Sequence, residues 1–115
     1  MTDAPIQVEL APHFVKVVKR LHKKFPRVSD VVQELIETLS QGETPGDQMQ
    51  GVGYTAYKVR LSNPDAQKGK SGGYRVVYYI KKVNRVILLV IYSKTEQIDI
   101  APEEIRQLID DFETR

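Results

Sequence analysis

Tyr74-Arg75-Val76-Val77-Tyr78-Tyr79-Ile80-Lys81-Lys82-Val83-Asn84-Arg85-Val86-Ile87-Leu88-Leu89-Val90-Ile91-Tyr92-Ser93 is the stretch on which the fold turns. Tyr74 to Lys82 is rich in Val, Tyr and Ile, side chains that suit a pleated surface. Asn84 stands where a tight hairpin turn would place a residue tolerant of positive φ. Arg85 to Ser93 is almost wholly β-branched or Leu, as expected of a strand covered on both faces. Two strands and a tight turn predict a hairpin within an antiparallel sheet.

Working outward, Tyr57, Val59 and Leu61 alternate with Lys58 and Arg60, the period of a further half-buried strand. The Asn-, Pro-, Gly- and Lys-bearing segment from Ser62 to Gly72 reads as a loop, and so does Glu43 to Gly53. Near the start, Ile6, Val8 and Leu10 alternate with Gln7 and Glu9 as in a strand. Pro12 then suits the first position of a helix. Phe14, Val17, Val18, Leu21 and Phe25 fall on one helical face, with Lys16, Lys19, Arg20, Lys23 and Lys24 opposite. Pro26 stops this helix. Ser29 or Asp30 is placed to cap the next, whose stripe is Val32, Leu35, Ile36 and Leu39. Pro102, with Glu103 and Glu104 in a first turn, opens a last helix with Ile105, Leu108, Ile109 and Phe112 on one face. The order is β-α-α-β-β-β-α. It predicts an α+β fold with a largely antiparallel twisted sheet, an N-terminal helical hairpin and a C-terminal helix.

Composition bounds the rest. At 115 residues the expectation is one core and one domain, spanning 1–115. A hydrophobic fraction of 41% is too high for global disorder. The absence of Cys excludes disulfides and thiolate metal sites. The longest apolar run, Val86 to Tyr92, is far shorter than the roughly 20 residues a membrane helix needs. Met1 to Leu10 lacks the pattern of a signal peptide. A cytoplasmic protein without a membrane partner is the expectation.

Charge is unevenly distributed. Tyr54 to Arg85 holds eight Lys/Arg against one acid, Asp65, and His13 to Arg27 holds six against none. Ala101 to Arg115 instead holds five acids and two bases. Such asymmetry suits a surface facing a polyanion, although a solvated basic face would read the same way.

Metal chemistry finds no support in the sequence: His13 and His22 have neither His partners at helical spacing nor Cys neighbours. Lys68-Gly69-Lys70-Ser71 resembles the end of a phosphate loop, but Pro64 stands where that motif needs Gly, and a strand follows where it needs a helix. What remains is cationic and aromatic. Lys58 and Arg60 share a strand face, Arg75 interrupts a run otherwise built for burial, and Tyr92 and Lys94 end the last strand. Arg forks hold phosphates and Tyr rings stack on unpaired bases. The same residues also fit an ordinary polar strand face over a tyrosine-rich core.

Tyr57-Lys58-Val59-Arg60-Leu61, then Lys68-Gly69-Lys70-Ser71-Gly72-Gly73-Tyr74-Arg75-Val76-Val77-Tyr78-Tyr79, then Leu89-Val90-Ile91-Tyr92-Ser93-Lys94 resemble the RelE/HigB toxins of type II toxin–antitoxin systems. The element order matches as well, so the resemblance spans almost the whole chain. It implies a metal-independent endoribonuclease, with no cofactor, that cuts mRNA on the ribosome and is held by a cognate antitoxin protein. It implies Arg75, Lys58 and Lys94 as catalytic residues: Arg75 for transition-state phosphate, Lys58 for phosphate and proton transfer, Lys94 as acid or electrostatic stabiliser. Arg60, Tyr92, Lys68 and Lys70 would bind RNA. The chain departs from the RelE branch where Thr95 and Ala101 replace a second Arg and a Tyr, and no obvious general base takes their place. The same fold includes ParE-like gyrase inhibitors, so a non-catalytic binder or antitoxin-pairing module is the alternative.

Overall fold

The computed structural model describes residues 5–66, 73–95 and 99–114. Its elements run β1 (Gln7–Leu10), α1 (Pro12–Lys24), α2 (Val28–Ser40), β2 (Asp47–Gln48), β3 (Ala56–Leu61), β4 (Tyr74–Lys82), β5 (Arg85–Ser93) and α3 (Pro102–Glu113). They form one five-stranded sheet in the order β1-β5-β4-β3-β2. The α+β reading holds. β1 pairs with β5 in parallel, and every other pairing is antiparallel.

β5 lies between β1 and β4, and from Val86 to Ser93 each residue is buried, which is why its sequence does not alternate. One face of the sheet carries the helical hairpin. Phe25, just past α1, meets Tyr74 edge-on at 6.1 Å, and Tyr57 stacks on Tyr78 at 5.4 Å. The Tyr78 hydroxyl donates to the Pro45 carbonyl at 2.5 Å. The other face is partly covered by α3, whose Ile105 and Ile109 are fully buried. The predicted stripes of all three helices are the faces that pack into the core.

Three local expectations are corrected. The stretch from Glu43 to Gly53 is not all loop, because Asp47 and Gln48 pair with Lys58 and Tyr57 as β2. Neither Ser29 nor Asp30 caps α2. The helix already begins at Val28, with Arg27 in the cap position and no side-chain cap bond. Asn84 does lie in the two-residue turn between β4 and β5, yet among the described residues no non-glycine φ is positive. Its carbonyl instead accepts from the Gln7 N–H, tying β1 to the hairpin.

Two glycines permit close backbone approach beside β3. Gly46, at φ +96°, would place a Cβ 2.4 Å from the Lys58 carbonyl oxygen, and Gly73, at φ +62°, would place one 2.6 Å from that of Leu61. Gly51 has a similar φ of +79°, but its nearest neighbour would be 3.8 Å away. All three disfavour an L side chain, by about 1–2 kcal/mol. Urea unfolding should therefore rank Gly46→Ala and Gly73→Ala well below Gly51→Ala in stability. Equal losses at the three positions would contradict this packing.

Candidate active site

Three strands bring the cations to one end of one sheet face. Alternation along β3 sends Lys58 and Arg60 to the same side. Register sets Arg60 directly opposite Arg75, and Arg75 directly opposite Tyr92. A row of Arg60, Arg75 and Tyr92 therefore crosses β3, β4 and β5, with Lys58 two residues along β3 and opposite Val77. Lys94 follows β5, and its N–H donates to the Gly73 carbonyl at 3.0 Å, which keeps it level with the start of β4.

α3 occupies the opposite end of the same face. Tyr79 meets Phe112 edge-on at 6.4 Å, and its hydroxyl donates to the Glu113 carboxylate. Tyr54 donates to Asp110 at 2.6 Å, and the Arg106 guanidinium donates to the Val52 carbonyl at 3.1 Å. Held there, the helix leaves Arg60 exposed and Lys58 and Arg75 half-buried. Like charges directly opposite across a ladder disfavour pairing by a few tenths to about 1 kcal/mol. The Arg60–Arg75 pair concentrates positive charge at this end of the face.

Asp99 was not singled out in the sequence. Its Oδ1 accepts from Lys58 Nζ at 2.8 Å, from the Tyr92 hydroxyl at 3.3 Å and from the Ile100 N–H at 2.8 Å. The Lys58 hydrogen bond, then the Ile100 N–H, hold its carboxyl below the usual range. No motif spacing announces it, since Asp99 and Lys58 are 41 residues apart. The one sequence signal is its place just before Ile100, an apolar residue that anchors the approach to α3 in the core.

Tyr92 is only 4% exposed, so little of its ring is open for a base to stack on. It lies on the floor of a groove of about 880 Å³ between α1 and α3, with His13, Val17 and Arg20 on one wall and Glu104, Gln107 and Leu108 on the other. Arg20 thereby brings the exposed basic side of α1 to the groove that holds Tyr92. The expected RNA contacts Lys68 and Lys70 lie outside the described residues. Among the described residues, no group of three His, Cys, Asp or Glu side chains is placed to hold a metal ion, and no helix is long and apolar enough to cross a membrane.

A family model described as the RelE toxin of the RelE/RelB toxin–antitoxin system matches residues 14–110. The chain belongs to the RelE toxin family. The solved structure of E. coli toxin RelE, a double arginine-to-alanine mutant in the free state, is similar in fold. The match has a TM-score of 0.54, with 16% identity, and covers 97% of this chain and 98% of that one. Membership makes the protein a toxin of a toxin–antitoxin system, with an antitoxin as partner.

In this RelE-family chain several tyrosines serve the fold as well as the site. Burial is the first cause that pushes the Tyr78, Tyr79 and Tyr92 hydroxyls up, Tyr92 to about 12. The nearby Asp99 adds to the Tyr92 shift and Arg75 opposes it. The folded state thus resists tyrosinate formation while the unfolded chain ionises near pH 10. Stability from these groups is complete below about pH 10 and is lost as pH rises through about 12 for Tyr92. Urea unfolding across that window should show a steep loss, made shallower by Tyr92→Phe. A Tyr92→Phe profile identical to wild type would contradict this assignment.

Proposed function

We propose that this toxin is a ribosome-dependent mRNA endoribonuclease that arrests translation. The observation that supports this most is the row Arg60–Arg75–Tyr92, with Lys58 beside it, at one end of a sheet face. A phosphodiester lying across the row meets two guanidiniums and an ammonium. Arg can fork two N–H donors onto phosphate oxygens, which suits the extra charge of a pentacovalent transition state. Arg75, central in the row, is assigned that role. Lys58 and Arg60 hold flanking phosphate oxygens, and Lys94 protonates the leaving oxygen. Lys68 and Lys70 extend the contact along the RNA strand.

The nucleophile is the RNA's own 2′-hydroxyl, so the chemistry calls for neither a metal nor a cofactor. The exposed Lys16, Lys19, Arg20, Lys23 and Lys24 of α1 offer a second basic surface for ribosomal RNA. The cytoplasm, where ribosomes work, is the proposed location. The antitoxin would silence the toxin by covering the basic sheet face with an acidic or helical segment, blocking it by charge and bulk. Within the family, the Ser71-Gly72-Gly73-Tyr74-Arg75 run favours the HigB-like branch.

Brief induced expression followed by primer extension on cellular mRNA tests the reading. Wild type should produce cuts inside translated frames and none in untranslated regions. Arg75→Ala should lose them by about 10²–10³-fold, the scale of removing one transition-state donor. Circular dichroism should show Arg75→Ala still folded. Growth arrest without cuts would instead favour a ParE-like gyrase inhibitor, and retained cutting by folded Arg75→Ala would contradict the proposed centre.

A further inference from the structure

Arg60, Arg75, Lys58 and Lys94 are nitrogen donors suited to binding or protonating oxygen, and none of them is a carboxylate. Tyr92 is no better placed, since burial keeps it a phenol. A 2′-hydroxyl attacking phosphorus must nevertheless shed its proton. A carboxylate beside the strand cations opposes a bound phosphate electrostatically, and its exposed ion pair with Lys58 is worth only about 0–1 kcal/mol. We infer that Asp99 is the general base that takes the proton of the attacking 2′-hydroxyl, an inference that rests on the nuclease reading above.

The geometry orients the carboxylate, while the same donors lower its basicity. The three donors on Oδ1 come from β3, from β5 and from Asp99's own main-chain neighbour Ile100, so the carboxylate is oriented by the sheet and not left to rotate. Ile100 is 8% exposed and fixes the main chain beside it. The Asp99 side chain itself is 59% exposed and reachable by a strand of RNA. Asp47, which shares a small cleft with Lys58 and Asp99, belongs to edge strand β2, outside the Arg60–Arg75–Tyr92 row. Lys58 touches Asp99 and, in the proposed complex, the phosphate, so it couples the base to the reacting group.

In the step, the 2′-hydroxyl proton passes to the Asp99 carboxylate while the oxygen's electron pair forms the bond to phosphorus. The phosphorus–5′-oxygen bond breaks, and the departing oxygen takes a proton from the Lys94 ammonium. The products are a 2′,3′-cyclic phosphate and a 5′-hydroxyl. Exchange with water then deprotonates Asp99 and reprotonates Lys94.

The test is single-turnover cleavage of a short mRNA on purified ribosomes by the full chain as wild type, Asp99→Asn and Asp99→Ala. Asp99→Asn keeps an oxygen acceptor for Tyr92 and Ile100. It should bind ribosomes carrying a 2′-deoxy version of the mRNA at least as tightly as wild type, since a repelling charge is gone, yet cleave about 10²–10⁴-fold more slowly, the usual contribution of a general base. Formate should restore part of the rate to Asp99→Ala by supplying the missing carboxylate. Wild-type cleavage by Asp99→Asn, or an Asp99→Ala enzyme insensitive to formate, would overturn this inference alone. No cleavage by the wild type would overturn the nuclease reading and this inference with it.

Discussion

The central constraint is the position of β4 between β3 and β5. Pairing on both sides fixes its register, and a one-residue slip would turn every side chain to the opposite face. Tyr74, Val76 and Tyr78 face the helical hairpin, where Phe25, Ile91 and Tyr57 meet them. A slip would drive Arg75 into that core, so the apolar packing of one face holds the arginine on the other. The irregular pairing between β4 and β5 beyond Val77 leaves the Arg75–Tyr92 pair intact.

The second consequence is electrostatic. Arg60 and Arg75 sit opposite each other, with Lys58 two residues along β3, so positive charge gathers there. In this structure Asp99 stands next to that position, hydrogen-bonded to Lys58 and Tyr92. The chain from β5 to α3 thus returns a carboxylate to the strand cations before the helix departs. α3 is then tied down at the far end through Tyr79–Glu113, Tyr54–Asp110 and Lys81–Glu113. Those contacts hold the end of the helix over Tyr79. Fold and site are connected through the two ends of one segment.

The strands and helices were legible because their periods were clean. Val86 to Ile91 has the unbroken apolar run of a strand buried on both faces, and Phe14, Leu21, Leu35, Ile105 and Ile109 keep helical spacing. The α2 start was misplaced because Ser29 and Asp30 are good caps, whereas Val28 is fully buried and draws the helix back toward Arg27. β2 went unseen because two polar residues carry no periodic signal; Gly46 and the pairing with β3 create it. In the site, Lys58, Arg60 and Arg75 could be grouped from alternation and hairpin pairing. Asp99 could not, since only the tertiary return of the chain brings it to Lys58.

The most direct test of the account is the chemistry of the cut ends. Purified toxin should be given ribosomes programmed with mRNA that is either all-ribose or carries a single 2′-deoxy nucleotide on the 5′ side of the cut. The account predicts that the all-ribose message yields a 2′,3′-cyclic phosphate and a 5′-hydroxyl, and that the single deoxy substitution abolishes cutting. Equal cutting of both messages, or fragments bearing a 5′-phosphate, would contradict it.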